Sequence, residues 1–493
     1  MGDHEDVGQN PPELSNGNLG SSALRVSDEQ MNTHASATAV PVTTTMREAT
    51  INLICGGLGT GMFSLPWTMA GASVLPGILT IFGVIGINIF TIVVLVEAAE
   101  RHKAFDLGAL LRKLPGFLGP FAQYVTNAAI WFSMILTLIG YVLAMRDAAD
   151  DLPLVGNSWL AQERWRLSAL AALAAVPLCF VDQKYLSFSS VVAVVVNMNL
   201  LVVVCALLGE RTGSERKGGQ LCMFGFAKGS LTMVSTVTNT IIVQMCVLPM
   251  YEVLENRSPR RFLRVLLVSF GCLSLLLSIF CLVAYLAIGN TVEGNMLKSL
   301  PETTWNAVSR GGVILVILAV YPIFLLPMVA PLRSLNLRFF LQRGALDERT
   351  ALHCQAERAQ LKVLAASRRS LFVNIVTLGI IIVSFLGALV LKDLGPLNAV
   401  NGAICVGIFT SLGPGLVGLF LVGRQSMLWK LAMGSLLTFG AVAMGLGFVF
   451  SDKNFHEDMS KACIWPLDST SMNAPSSALA GGTNWTRVDL HFA

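Results

Sequence analysis

Eleven stretches of this chain are apolar over something close to the roughly 20 residues that a helix needs to cross a hydrocarbon layer, and few folds are open to a chain built that way. They fall at about residues 49–72, 75–98, 120–144, 167–181, 186–208, 229–252, 262–288, 311–333, 371–391, 397–421 and 428–450. Lipid offers no partner for backbone N–H and C=O groups, so such segments must be helices. The expectation is an all-α polytopic membrane protein with about eleven transmembrane helices over residues 46–450, flanked by tails at 1–45 and 451–493. Composition agrees, with 54% hydrophobic and 13% charged residues against about a quarter charged in soluble domains. The fourth stretch is the weakest, at about 15 residues. Were it not to cross, every later one would run the other way.

Charge placement sets the orientation. Most of the 34 Lys and Arg residues fall on the side of the N-terminus, above all Arg257, Arg260, Arg261 and Arg264 and the run from Arg333 to Arg369. The positive-inside rule then puts the N-terminus in the cytoplasm, and an odd number of crossings puts the C-terminal tail outside or in a lumen. Asn484-Trp-Thr486 becomes a usable glycosylation sequon there, whereas Asn256-Arg-Ser258 is cytoplasmic and silent. Of ten cysteines, only Cys222 and Cys463 lie clearly on the outer side, the one pair placed to form a disulfide. No Cys-x-x-Cys or Cys/His spacing suggests a metal, and nothing asks for a cofactor. A net charge of +4 spread over loops gives no basic stripe for nucleic acid. The tail over 1–45 is polar and expected to be disordered, with no signal peptide and no Gly2 myristoylation pattern, since Asp6 stands where Ser or Thr is required. Asp106-Leu-Gly-Ala-Leu-Leu111-Arg-Lys113 reads as a short amphipathic helix on the membrane surface; it also has the shape of an acidic-dileucine sorting signal.

The first crossing carries Ile54-Cys-Gly-Gly-Leu-Gly-Thr-Gly-Met-Phe-Ser-Leu-Pro-Trp67, with four glycines at 56, 57, 59 and 61. Each costs a helix about 1 kcal/mol relative to alanine, so the helix should break. A broken backbone survives in hydrocarbon only where it is buried in protein or lines a cavity. Such breaks in secondary transporters aim free N–H groups at a carboxylate and free carbonyls at a cation. The plainer reading is that these glycines let helices pack closely. Segment six, Gly229 to Pro249, is unusually polar, and Asn239 and Gln244 are costly enough in lipid to face a pathway or another helix. Leu65-Pro66 and Leu248-Pro249 follow the two unusual stretches, and the two segments run in opposite directions. That is the relation of two inverted halves of five helices each, broken at helices one and six, with segment eleven added.

Four strings in this order, Gly59-Thr-Gly-Met-Phe-Ser-Leu-Pro-Trp67, Leu248-Pro-Met-Tyr-Glu-Val-Leu-Glu-Asn-Arg-Ser258, Tyr321-Pro-Ile-Phe-Leu-Leu-Pro327 with Pro331-Leu-Arg333, and Lys392-Asp-Leu-Gly-Pro-Leu-Asn-Ala-Val-Asn-Gly402, resemble the corresponding segments of the amino acid/auxin permease family. The resemblance runs from about residue 46 to 450. It implies an amino acid transporter of the amino acid–polyamine–organocation superfamily, with substrate held by broken helices one and six against helices three and eight. Carried over, Gly57, Leu58, Gly59, Thr60 and Gly61 bind the substrate's charged ends through backbone groups, and helix six contributes Asn239, Thr240 and Gln244. Ser133, Thr137 and Tyr141 recur at helical spacing on segment three and face either the substrate or a neighbouring helix. Gly59→Val is expected both to strain the break and to fill the site.

Sodium-coupled relatives resemble one another in carrying Asn on helix one, where this chain has Cys55, and Thr on helix eight, where it has Leu318 to Val320. A hard cation wants oxygen ligands, so a sodium site of that kind is not expected. Nor is a central proton carrier in view: where those relatives show His on helix six this chain has Gln244, and the 30 acidic residues fall in loops or near helix ends. Glu97, Asp182 and Glu252 are closest to the cytoplasmic boundary and are the coupling candidates. Lacking a central acid to answer a cationic side chain, the site suits a neutral amino acid, with Leu58, Met62 and Phe63 to line an apolar pocket. The reading is therefore transport of amino acids by alternating access, proton-coupled before sodium-coupled, in a plasma membrane or a vacuolar or lysosomal-type membrane. Its rival is a sensor that binds an amino acid and signals through the tail or the loop between segments eight and nine. An enzyme would need a His/Asp cluster or an activated nucleophile at helix ends, and the sequence shows neither.

Overall fold

The computed structural model describes residues 44–150, 162–180, 189–213, 221–348, 355–451 and 462–466, with scattered positions between 151 and 161. The helices belong to the unit formed by residues 45–493. Most of both expected tails, with Asp182 and Asn484, lies outside the described residues.

Crossing one is two short helices, α1 (Met46–Gly57) and α2 (Leu65–Ala72), joined by a 3-10 turn over Thr60–Ser64. Crossing two is α3 (Val74–His102), and the surface helix α4 (Leu107–Leu111) leads to crossing three, α5 (Leu118–Asp150). Crossings four and five are α6 (Arg164–Leu178) and α7 (Ser189–Gly213). After strand β1 (Cys222–Gly225), crossing six is again split, into α8 (Gly229–Ile241) and α9 (Val247–Glu252). Crossings seven to nine are α10 (Pro259–Ile288), α11 (Thr304–Glu348) and α12 (Gln355–Val390). Crossing ten comprises α13 (Leu394–Ile404), a π-helical stretch Cys405–Leu412 and α14 (Gly413–Phe420). Crossing eleven is α15 (Met427–Val449), followed by strand β2 (Cys463–Pro466).

Among the described residues, eight of these helices are individually long and apolar enough to cross a membrane. The three that are not are the two broken crossings and α6. Contacts between helix ends show that α6 crosses nonetheless. Lys298, which follows crossing seven, lies 3.2 Å from Asp147 at the end of crossing three, and the Tyr251 hydroxyl at the end of crossing six donates to Glu100 at the end of crossing two over 3.0 Å. Each pair is separated by four crossings if α6 is one and by three if it is not. Only the even number brings the ends to one face.

Local chemistry explains where the elements start and stop. α1 opens with a capping box, Thr45 accepting from the Glu48 N–H over 3.3 Å and Glu48 accepting from the Thr45 N–H over 2.9 Å. Ser258 caps α10 ahead of Pro259. Pro66 and Pro249 both sit in the first turn of a resuming half-helix, where the missing N–H has no intrahelical partner to lose. In α4, Asp106 caps Ala109 over 2.8 Å and Leu107, Leu110 and Leu111 are buried. The two leucines of the sorting-signal reading are thus inside the protein.

We call the face where α1 begins the near face. At the far face, Asp147 is buried between Arg146 (2.9 Å), Lys298 (3.2 Å) and Asn295 (3.1 Å). Arg146 donates further to the Lys392 carbonyl over 2.8 Å. The segment between crossings seven and eight buries Val292, Met296, Leu297 and Leu300, and the fully buried Arg310 holds the Leu297 and Leu300 carbonyls at 3.0 Å each. Also on this face, β1 and β2 pair antiparallel and Cys222 is disulfide-bonded to Cys463, Cα atoms 5.8 Å apart. The Cys222 N–H donates to the Tyr285 hydroxyl, and Ser73, in the turn after α2, bonds both backbone groups of Gly225.

Candidate functional site

Crossing one breaks because its backbone leaves the helix at Leu58 and is extended at Gly59, with φ −86° and ψ −173°. Crossing six breaks at Ile242, also extended, in the β-branched run Ile241-Ile242-Val243. Beside the end of α1 lies a cavity of about 200 Å³, bounded by crossing one, α5, α7 and α11. Its wall is mainly hydrocarbon, with Leu58 and Phe63 from crossing one and Val316, Ile317, Val320 and Phe324 from α11. Tyr141 packs edge-on against Phe324, ring centroids 5.5 Å apart. The polar side chains are Asn52, Thr60, Tyr141 and Asn197, with the Cys55 thiol. Among the described residues, none of the lining side chains is charged. The exposed Asn52 and Gly56 stand at its mouth, on the near side of the break.

The two readings of the glycines hold at different residues. Gly56 and Gly59 line the cavity. Gly57 and Gly61 are packing positions: a Cβ on Gly57 would lie 2.6 Å from Leu273, and one on Gly61 would lie 2.9 Å from the backbone of Thr240. Leu58 and Thr60 line the cavity, Phe63 does too, and Met62 is buried elsewhere. Gly59 corrects one expectation. Its extended backbone suits a β-branched residue and a Cβ there meets nothing within 4 Å, so Gly59→Val fills the cavity without straining the break.

The polar residues of crossings three and six mostly turn away from the cavity. Ser133 donates to Asn401 over 2.7 Å, Asn401 donates to Thr137 (3.2 Å) and Asn239 (2.8 Å), Asn239 donates to Asn398 (3.2 Å), and Asn398 donates to Ser64 (2.8 Å). This chain of bonds ties crossings one, three, six and ten. Thr240 is buried beneath Gly61 and bonds back to the Thr236 carbonyl. Gln244 is fully buried; its amide donates to Asn88 on α3, and its oxygen accepts from the Val243 N–H over 3.2 Å, closing the break of crossing six. Neither reaches the cavity.

Glu97 pairs with Arg424 at 2.8 Å and Arg101 at 3.6 Å on the near face, and Glu252 is exposed. Three features went unread in the sequence. Asn398 and Asn401 are three apart on one helix face, a spacing that signals joint orientation. Asn197 interrupts a valine run, and an amide there is expensive enough to demand a partner. Arg146-Asp147 ends an apolar run and looked like loop, yet α5 continues to Asp150 and both charges are buried.

Residues 42–451 match the family model described as "Transmembrane amino acid transporter protein". The chain is 19% identical over 420 residues to "Vacuolar amino acid transporter 6" of Saccharomyces cerevisiae, a match covering 77% of this chain and 91% of the yeast protein. Among solved structures, Mhp1 in an inward facing conformation superposes with a TM-score of 0.53 at 13% identity, over 85% of this chain and 92% of Mhp1. Mhp1 in a closed conformation with bromovinylhydantoin bound gives 0.48 at 10% identity, over 86% and 93%.

Proposed function

This chain belongs to the transmembrane amino acid transporter family and has the inverted-repeat fold of Mhp1, and from that premise we propose that it moves neutral amino acids across a membrane by alternating access around the cavity at the end of α1. One observation carries the choice of substrate. Among the described residues, the cavity beside the broken helix has no charged side chain in its wall, so a cationic or anionic side chain would enter it without a counter-ion, at a cost of several kcal/mol. A neutral side chain meets Leu58, Phe63, Val320 and Phe324 instead. Backbone groups at Leu58 to Thr60 would meet the substrate's own charged ends.

Proton coupling is the better reading over sodium. The side chains of Cys55 and Val320 offer a hard cation no oxygen at this wall, which leaves the near-face carboxylates Glu97 and Glu252, with Asp182, as coupling groups. The vacuolar relative favours a vacuolar-type membrane over the plasma membrane, and the excess of Lys and Arg favours a cytoplasmic near face. The testing experiment is uptake of a labelled mixture of neutral amino acids into proteoliposomes, with sodium against choline at one pH and then with an inward proton gradient. Stimulation by protons without a sodium effect is expected. Sodium dependence would overturn the coupling, preference for cationic amino acids would overturn the substrate class, and binding without flux would turn the reading to a sensor.

A further inference from the structure

The Leu58 carbonyl follows directly on the last turn of α1, at the negative end of the helix dipole. In a membrane interior such oxygens need a proton donor or a cation. The side chain that meets this one is Asn197 of α7, only 4% exposed, whose Nδ2 donates to the Leu58 carbonyl over 3.2 Å while the residue lines the cavity. Across the cavity, α11 presents Val313, Val316, Ile317 and Val320. That hydrocarbon wall cannot supply the six or so oxygens that a hard cation gathers.

We propose that Asn197 does at this break what a coupling cation would do: its amide proton satisfies the Leu58 carbonyl, fixes the end of α1 against α7, and lets the cavity bind its substrate with no sodium present. Asn197 is then a positioning residue that acts through the backbone of crossing one. The inference rests on the reading of the cavity as the amino acid site. An amide does not titrate, so the bond survives any pH the protein meets. A carboxyl in its place would donate only while protonated, and ionised it would repel the carbonyl and attract a cation.

The test compares the full-length wild type, Asn197→Asp and Asn197→Leu in proteoliposomes with a labelled mixture of neutral amino acids, reading binding and uptake at pH 5.5 and pH 8 in sodium or choline. Wild-type binding should be the same in sodium and choline at each pH. Asn197→Asp should stay within about twofold of wild type at pH 5.5 and bind at least about tenfold more weakly at pH 8, the loss of one charge-sensitive hydrogen bond, with sodium recovering part of the loss. Asn197→Leu should be weakened equally at both pH values and recovered by neither protons nor sodium. Identical pH profiles for Asn197→Asp and wild type, wild-type binding by Asn197→Leu, or sodium-dependent binding by the wild type would each overturn the proposal. Thermal unfolding of Asn197→Asp reads the same bond without substrate. A carboxyl there donates to the Leu58 carbonyl only while protonated, so the variant should be more stable at low pH and lose that stabilisation as pH rises, and a flat profile refutes the bond even if the cavity proves not to be the amino acid site.

Discussion

Crossing one is a single passage in two halves, and the halves live in different surroundings. All eight residues of α2 are buried; of the twelve in α1 only Ala49, Leu53 and Gly57 are. The same asymmetry runs through the bundle. At the far face, the segment after crossing seven is held by the charges around the buried Asp147 and by Arg310 on two carbonyls, and the disulfide-closed β1–β2 ribbon is bonded to the turn after α2. At the near face the cavity-lining Asn52 and Gly56 are exposed, and the ion pair Glu97–Arg424 on the same face is partly exposed, at 23% and 50% of the two side chains. Desolvated charges cost a great deal to separate and exposed ones little. On the proposed cycle, the far gate would then be the latched one and the near gate the open one.

The largest effect should come from breaking the latch. Asp147→Ala leaves Arg146 buried, and the partly buried Lys298 beside it, without their counter-charge, and removing one member of a buried pair costs about 3–5 kcal/mol. Thermal unfolding in detergent should show it as a large drop in Tm, and Asp147→Asn, which keeps the shape but not the charge, should also fall. If either variant unfolds like wild type, the far face is not held electrostatically and the comparison fails.

Next come the two glycines on either side of Thr60. Gly61→Ala drives a methyl against the Thr240 backbone at 2.9 Å and should cost about 1–3 kcal/mol by overpacking, with loss of transport, because it parts crossings one and six. Gly59→Ala meets open space and should unfold like wild type while raising KM for the larger neutral substrates. Equal destabilisation by the two would mean that the cavity is not where the geometry puts it.

Chemical labelling reads the comparison without altering the fold. Cys55 lines the cavity and is half-buried, whereas Cys405 is fully buried beside Ser133. In single-thiol variants that keep Cys222 and Cys463, a polar thiol reagent applied to the near face should modify Cys55 much faster than Cys405, and a bound neutral amino acid should protect it. Modification of Cys55 from the far face would reverse the assignment of the open gate.

How much of this was legible follows from what hydropathy and spacing can carry. The eleven passages and both breaks showed in the sequence because lipid forces long apolar helices and glycine and proline mark where they fail. The end of α5 did not, because an ion pair ends an apolar run whether it faces water or is buried; only tertiary partners such as Lys298 and Asn295 distinguish the two. Ser133, Thr137 and Tyr141 were correctly seen as one helical series, but each step of four residues turns about 40° around the axis. Two steps carry the series from Ser133 facing Asn401 to Tyr141 facing the cavity. The glycines were legible as a cluster and not one by one, since which of them opposes Leu273 or Thr240 depends on the packing of α10 and α8.

The smallest effect is expected at the near face, and it separates stability from coupling. Glu97 shares Arg424 and Arg101 in a pair open to water, and exposed pairs contribute about 0.2–1 kcal/mol. Glu97→Gln keeps the shape of the side chain and should leave Tm almost unchanged. If Glu97 is the proton-coupling carboxylate, the same variant should still exchange neutral amino acids across the membrane while no longer responding to a proton gradient. Retained proton stimulation would clear Glu97 and send the search to Glu252 and Asp182. A fall in Tm as large as that of Asp147→Ala would show instead that the near face is latched as firmly as the far one, and that the two ends of crossing one differ in exposure but not in strength.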